Sequence, residues 1–332
     1  MSKTFDLVAV GDVVTDAFIR IKDASVNCDL NKEECKLSFR FGDKVPYEFV
    51  EVVKAVGNSA NAAVSATRLG LKVAFVSNVG DDQNGKDCIE TLKKNKVDTQ
   101  YVTINQGKET NYHYVLWFED DRTILVKHQE YNYAFPEIEA PKWIYLSSLA
   151  ENSLPYHQKI AEYLKAHPEI KLVFQPGTFQ MKLGYKKLQD LYRLSYLFFC
   201  NVEEAKRILD IAEEIEIIPL LQKIRELGPK IIVITDGRKG AYTYDGETAW
   251  FMPPYPDPKP PVSRTGAGDA FASTFTSALA LGKTVPEALR WAPINSMSVV
   301  QQIGAQKGLL TREVLEEYLQ KAPKDYAPRK IS

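Results

Sequence analysis

Thr265-Gly266-Ala267-Gly268-Asp269-Ala270-Phe271 decides how this chain reads. Two glycines bracket an alanine, an acid follows, and a proline-free, small-residue apolar run continues from Ala270 to Leu281. That run has helical length, so Gly266 to Gly268 are expected to form the turn that opens a helix, with Asp269 in its first turn. The first N–H groups of a helix lack intrahelical acceptors, and together with the helix dipole they attract anions, phosphate above all. Glycines let a ligand approach the main chain. An aspartate beside bound phosphate is placed to take a proton from an attacking hydroxyl. The stretch reads as a phosphoryl-transfer centre.

Outward from it, short β-branched runs alternate with amphipathic segments. Strands are expected at Leu7 to Val10, Val73 to Ser77, Trp143 to Leu146, Leu172 to Phe174, Tyr196 to Cys200 and Ile231 to Thr235. Helices are expected at Asn58 to Leu69, Gly85 to Lys94, Leu154 to Ala166, Val202 to Leu209 and Ile218 to Leu227. This alternation predicts an α/β fold, a mostly parallel sheet between two helical layers. After a hairpin-like Ala241 to Phe251 and a proline-rich loop, Pro253 to Pro261, helices follow at Ala267, Val285 and Arg312. Two segments break the pattern, 13–55 and about 108–128. Both carry period-two stretches, the second turning near Asp120-Asp121, and together they predict a small β-sheet lid inserted into a single domain spanning 1–332. The proline- and charge-rich tail, 322–332, is expected to be loose.

Lys plus Arg number 42 and Asp plus Glu 43 in 332 residues, which gives no broad basic surface for nucleic acid or an anionic membrane. No apolar run is long enough to span a bilayer. The N-terminus reads as an immediate strand rather than an export signal. Cys28, Cys35, Cys88 and Cys200 lack CxxC spacing, so a cytoplasmic protein with reduced thiols is expected; Cys28 and Cys35 as metal ligands or as a disulfide are the alternative.

Gly57-Asn58-Ser59-Ala60-Asn61-Ala62-Ala63, leading into Arg68-Leu69-Gly70 and then Val79-Gly80-Asp81-Asp82-x-x-Gly85, resembles the N-terminal signature of the ribokinase-like (PfkB) carbohydrate kinases. The Thr265 to Phe271 stretch resembles their C-terminal signature, and the likeness runs from about Leu7 to about Tyr318. The resemblance implies a three-layer α/β/α domain with a β-lid over the acceptor site. It implies transfer of the γ-phosphoryl of ATP, with Mg²⁺, to an alcohol of a sugar, nucleoside or related molecule.

Residue by residue, the resemblance makes Asp269 the base and the amides of Gly266, Ala267 and Gly268 the anion hole. Asn201 and Glu204, in Asn201-Val202-Glu203-Glu204, match an Asn-x-x-Glu element that helps hold Mg²⁺ and the ATP phosphates, largely through water. The same pair would also cap a helix by itself. Thr235, Gly237 and Gly240 match a turn that contacts the nucleotide, where open sheets bind ligands off their carboxyl ends; a plain hairpin connection is the alternative. Arg264 is either a phosphate ligand or a surface arginine. Asp16, Gly57 and Asn61 match the acceptor site, Asp16 gripping sugar hydroxyls, with Asp12 nearer the strand end as a turn residue. In Tyr112 to Trp117, Tyr112 and Tyr114 share one strand face and His113 and Trp117 the other. Either face could stack on a ring or pack a lid; His113 is not expected to be a catalyst.

Three positions depart from the pattern. Val56 replaces the first of two adjacent glycines, which leaves the acceptor open. Ser263 replaces an aspartate that often helps a monovalent-cation site, so K⁺ activation is not expected. Pro293 stands where a polar residue often lies near adenine, with Asn295 close by. Gly304-Ala305 matches the family's terminal loop. The expected function is an ATP-dependent kinase of a small sugar or sugar acid. A nucleoside kinase is the nearest rival, and a non-catalytic sugar- or nucleotide-binding regulator the next. A dehydrogenase lacks its GxGxxG, since Gly11-Asp12-Val13 follows the first strand. Pairing of lid edges would make a homodimer.

Overall fold

The computed structural model describes residues 4–28, 35–119 and 121–332. Among these, ten strands form one sheet. Its parallel body runs Ile231–Thr235, Ser195–Asn201, Lys171–Phe174, Trp143–Leu146, Leu7–Val10, Val73–Gly80 and Val102–Asn105. Leu7–Val10 sits near the middle, with Val8 opposite both Ile144 and Ala74. Ala241–Tyr244, Ala249–Met252 and Arg329–Lys330 extend the other edge in antiparallel order.

The inner parallel strands are apolar on both faces because helices cover both, whereas the edge strand Val102–Asn105 is not buried. Leu7 and Ala9 face a core shared with helices Asn58–Arg68, Ala267–Ala280 and Val285–Val300. Val8 and Val10 face the opposite core, shared with Leu154–Ala166, Tyr185–Leu194 and Ile217–Glu226. The expected strands and helices form to within about three residues at each end. Helices Thr178–Leu183 and Tyr185–Leu194 were not expected; Gly177 and Gly184 punctuate that stretch and hide its periodicity.

The two pattern-breaking segments form a second sheet, in the order Tyr47–Val56, Val14–Ile21, Tyr112–Phe118, Asp121–Leu125. The last two strands pair antiparallel; of the expected turn at Asp120-Asp121, residue 120 lies outside the described residues. Ser25–Cys28 and Cys35–Ser38 pair as a further hairpin. Gly57 ends the lid with φ 111°, and a Cβ there would lie 2.7 Å from the Asp12 carbonyl oxygen, so the lid root admits no larger residue. Asp82 accepts hydrogen bonds from the amide and hydroxyl of Thr110 and from the Gly85 amide. The Gly80 to Gly85 element therefore ties lid to core.

Two expectations are corrected. Cys28 and Cys35 are bonded as a disulfide between facing strand positions, the alternative that spacing alone did not favour; Cys88 and Cys200 are buried free thiols. The tail is docked rather than loose. Tyr326 is buried and its hydroxyl donates to the Arg290 carbonyl at 2.7 Å, while Arg329 and Lys330 pair with Phe251 and Trp250. No helix among the described residues is long and apolar enough to cross a membrane.

Candidate active site

Helix Ala267–Ala280 opens as expected, with Gly266 at its N-cap and Asp269 in its first turn. Gly266 has φ 81°, and a Cβ there would lie 2.3 Å from the Ala305 Cβ, so the Gly304-Ala305 loop presses on this turn. At Gly268 a Cβ would meet no protein atom within 4 Å, which leaves its face open to a ligand. The Gly266 and Gly268 amides have no protein acceptor among the described residues, and the Ala267 amide makes only a long bond, 3.4 Å, to the Arg264 carbonyl.

Three amides hold the Asp269 carboxylate. Asn58 Nδ2 and Gln175 Nε2 donate to Oδ1 at 2.8 and 3.2 Å, and Asn61 Nδ2 donates to Oδ2 at 2.8 Å. Each amide is held the right way round by a second donor on its oxygen. Ser148 Oγ donates to Asn58 Oδ1, Gln306 Nε2 to Asn61 Oδ1, and the Tyr145 hydroxyl to Gln175 Oε1. Burial pushes the Asp269 carboxyl above the ordinary aspartate range; the three amides pull it back, and the charge of Asp16 raises it further.

Two clefts meet at this turn. The larger, about 360 Å³, lies off the carboxyl ends of the strands and is lined by Thr235, Gly237, Gly240, Phe271, Pro293 and Met297 among others. That size is within the range of small-molecule sites. The turn Gly237–Lys239 links antiparallel strands, as the hairpin alternative has it, and also lines the cleft. Arg264 is exposed and lines both clefts. The second cleft joins Asp269, Gly266 and Gly268 to Asn201 and Glu204. Asn201 caps helix Val202–Leu209 in a reciprocal box, its Oδ1 accepting from the Glu204 amide and Glu204 Oε2 accepting from the Asn201 amide, both at 2.8 Å. The box uses Asn201 Oδ1 and Glu204 Oε2, and among the described residues Asn201 Nδ2 and Glu204 Oε1 make no further protein hydrogen bond. Burial pushes the Glu204 carboxyl upward, and Asp269 adds to the effect.

Asp16 lies in the lid strand Val14–Ile21, near enough for its charge to act on Asp269. Gly57 precedes the helix that carries Asn61. The acceptor candidates are thereby gathered on the lid side of Asp269. Asn295 does not line the larger cleft: it is buried, bonding Thr274 and the Leu310 amide, while Pro293 does line it. Ser263 Oγ accepts from the Thr265 amide, a turn-forming role.

A model of the family described as pfkB family carbohydrate kinase matches residues 21–312. The chain belongs to this family. It is 30% identical over 273 residues to the ribokinase of Bacillus subtilis, covering 79% of this chain and 87% of that protein. It is 27% identical over 309 residues to the 5-dehydro-2-deoxygluconokinase of Geobacillus thermodenitrificans, covering 82% and 86%. Its fold superposes on Arabidopsis thaliana ribokinase complexed with ribose and ATP at a TM-score of 0.78, with 22% identity over 96% of this chain and 99% of that one. As a pfkB-family member the chain is a kinase with a ribokinase-like α/β fold.

Asn58, Gln175, Gln306 and Arg122 join the site without being among the expected residues. Asn58 stood inside the quoted signature. Gln175 follows a strand that ends at the cleft, so the rule that ligands bind at strand carboxyl ends would have found it. Gln306 and Arg122 carry no local signal, since a distant loop and a lid strand bring them to the site.

Proposed function

We propose that this pfkB-family kinase transfers the γ-phosphoryl group of ATP to a hydroxyl of a small sugar or sugar acid. Asp269 takes the proton of the attacking hydroxyl, and the Gly266, Ala267 and Gly268 amides hold charge on the transferring group. Asp16, Gly57 and Asn61 bind the acceptor. Thr235, Gly237, Gly240 and Arg264 contact the nucleotide. The observation that carries the reading is Asp269 held by three oriented amides beside a glycine turn whose open face accepts an anion.

Among the described residues no three His, Cys, Asp or Glu side chains are grouped to hold a metal ion. Asn201 and Glu204 therefore suit a Mg²⁺ that keeps its waters and is shared with the ATP phosphates. When bound, Mg²⁺ neutralises phosphate charge. Exposed Val50, Val52, Tyr114 and Ile124 on the lid support a homodimer through that sheet. A cytoplasmic setting, where ATP is supplied, suits the reading.

ATP turnover across ribose, fructose, 2-keto-3-deoxygluconate, adenosine and cytidine tests it. At least one sugar should be phosphorylated, and Asp269→Asn should lower kcat by about 10²-fold or more. Turnover of nucleosides alone would favour the nucleoside-kinase reading. Sugar binding without turnover would favour a non-catalytic regulator. Wild-type turnover in Asp269→Asn would remove the base assignment.

A further inference from the structure

The lid side of Asp269 carries a cluster that the kinase signatures do not include. Asp16 and His113 face each other across the parallel pair Val14–Ile21 and Tyr112–Phe118. Their near atoms, Asp16 Oδ1 and His113 Nδ1, are 3.3 Å apart. The His113 ring lies 5.1 Å from that of His128, which follows the last lid strand and meets Phe179 edge-on at 5.4 Å. His128 Nδ1 is 3.4 Å from Asp12 Oδ2. Asp12, in the connection after the first strand, is 3% exposed and accepts the Tyr133 hydroxyl on both oxygens, at 2.9 and 2.8 Å. Despite these approaches, Asp16 Oδ1, His113 Nε2 and His128 Nδ1 are buried with no hydrogen-bond partner among the described residues. Native proteins leave few such atoms, because a buried polar atom without a partner forfeits its bond to water. Three at one junction, beside the base, suit a ligand that brings its own hydroxyls.

Charge narrows the ligand further. Asp12, Asp16 and Asp269 are the carboxylates on this side. Arg122 and Arg264 line the cleft with Glu204, Gly268 and Asp269 itself, and neither Asp16, His113 nor His128 joins them there. An acceptor carboxylate seated at Asp16, His113 and His128 would meet the like charges of Asp12 and Asp16, away from those two guanidinium groups.

We infer that Asp16, His113 and His128 form an acceptor subsite selective for a neutral polyhydroxylated sugar over a sugar acid, with His113 and His128 as the specificity-determining residues. The inference rests on the kinase reading and makes its acceptor specific. A hydroxyl of the sugar donates to Asp16 Oδ1, and the imidazole nitrogens bond neighbouring hydroxyls. No proton is transferred in this subsite.

The test is calorimetric binding to the full chain in the presence of a non-hydrolysable ATP analogue, with D-ribose, D-fructose, 2-keto-3-deoxygluconate and adenosine as probes. Wild type should bind at least one neutral sugar, and bind the sugar acid about tenfold or more weakly. His113→Ala and His128→Ala should each weaken the sugar by about tenfold, the worth of one buried hydrogen bond. His113→Gln, which keeps a donor and an acceptor, should recover part of the loss. Binding of the ATP analogue itself, measured on every variant, should be unchanged and reports that each is folded. Equal or tighter binding of the sugar acid, binding of adenosine alone, binding of none of the probes, or unaltered sugar binding in both alanine variants would each overturn the subsite. In all four cases retained ATP-analogue binding, with turnover on some acceptor, would leave the kinase reading standing.

Discussion

Gly266 and Gly268 look alike in the sequence and differ in what forbids a side chain. Gly266 is fixed by its left-handed backbone and by Ala305, so Gly266→Ala should destabilise the fold by more than about 1 kcal/mol. Gly268 has a clear protein environment. Gly268→Ala should leave Tm unchanged or raise it, by up to about 1 kcal/mol of stability from better helix propensity, while sharply lowering kcat because the methyl stands where phosphate approaches. Thermal melts paired with turnover separate the two; a Gly268→Ala enzyme with full activity would take the anion hole away from this turn. A second expectation concerns Asp269. On the proposed function it must be ionised to act as base, and burial raises its carboxyl above the ordinary aspartate range, so the acid limb of the kcat profile should lie above that of a free aspartate. Asn61→Ala removes a hydrogen bond that favours the charged form, so the limb should move higher still. The kcat–pH profiles of both enzymes, read at saturating acceptor, check the sign; a downward move would contradict it.

Helix termini line much of the candidate site, and the proposed function gives one of them two duties. Asn201 caps helix Val202–Leu209 through its oxygen and offers its Nδ2 to the cleft. Asn201→Asp keeps the capping oxygen and removes the donor, so Tm should hardly change. ATP affinity should fall by about tenfold or more, because a second carboxylate then faces phosphate. A variant with normal ATP affinity would leave Asn201 as a cap alone. At this scale the sequence was legible where period and punctuation agree. Val285–Val300 begins at the Thr284 and Glu287 capping box, and Ala267–Ala280 at its glycine turn. It was opaque where glycines split helices, at Gly177 and Gly184, and where a strand of two residues is set by its partner, as at Arg329–Lys330.

Across the whole molecule, the lid is the part least committed to the core. Its outward Val50 and Val52 are nearly half exposed, at 45% and 46%. If these surfaces pair, Val50→Lys combined with Val52→Glu should convert a dimer to a monomer in sedimentation, with little loss of Tm, since neither residue packs the core. A wild-type monomer at assay concentrations would end that proposal. In the ten-stranded sheet the docked tail supplies the edge strand among the described residues, Arg329–Lys330 pairing with Phe251 and Trp250.

The sequence by itself determined the parallel sheet, its two helical layers and the glycine turn with its aspartate. Those follow from periodicity, backbone freedom and charge within a few residues of one another. Only the tertiary structure decided what surrounds that aspartate. Asn58, Gln175 and Gln306 reach Asp269 or its ligand Asn61 from separations of 94 to 245 residues, and the Cys28–Cys35 bond and the histidine pair form only because lid strands meet in one register. Local pattern reports what a segment buries; which distant amide satisfies a buried carboxylate is settled by packing, where every polar group must find a partner.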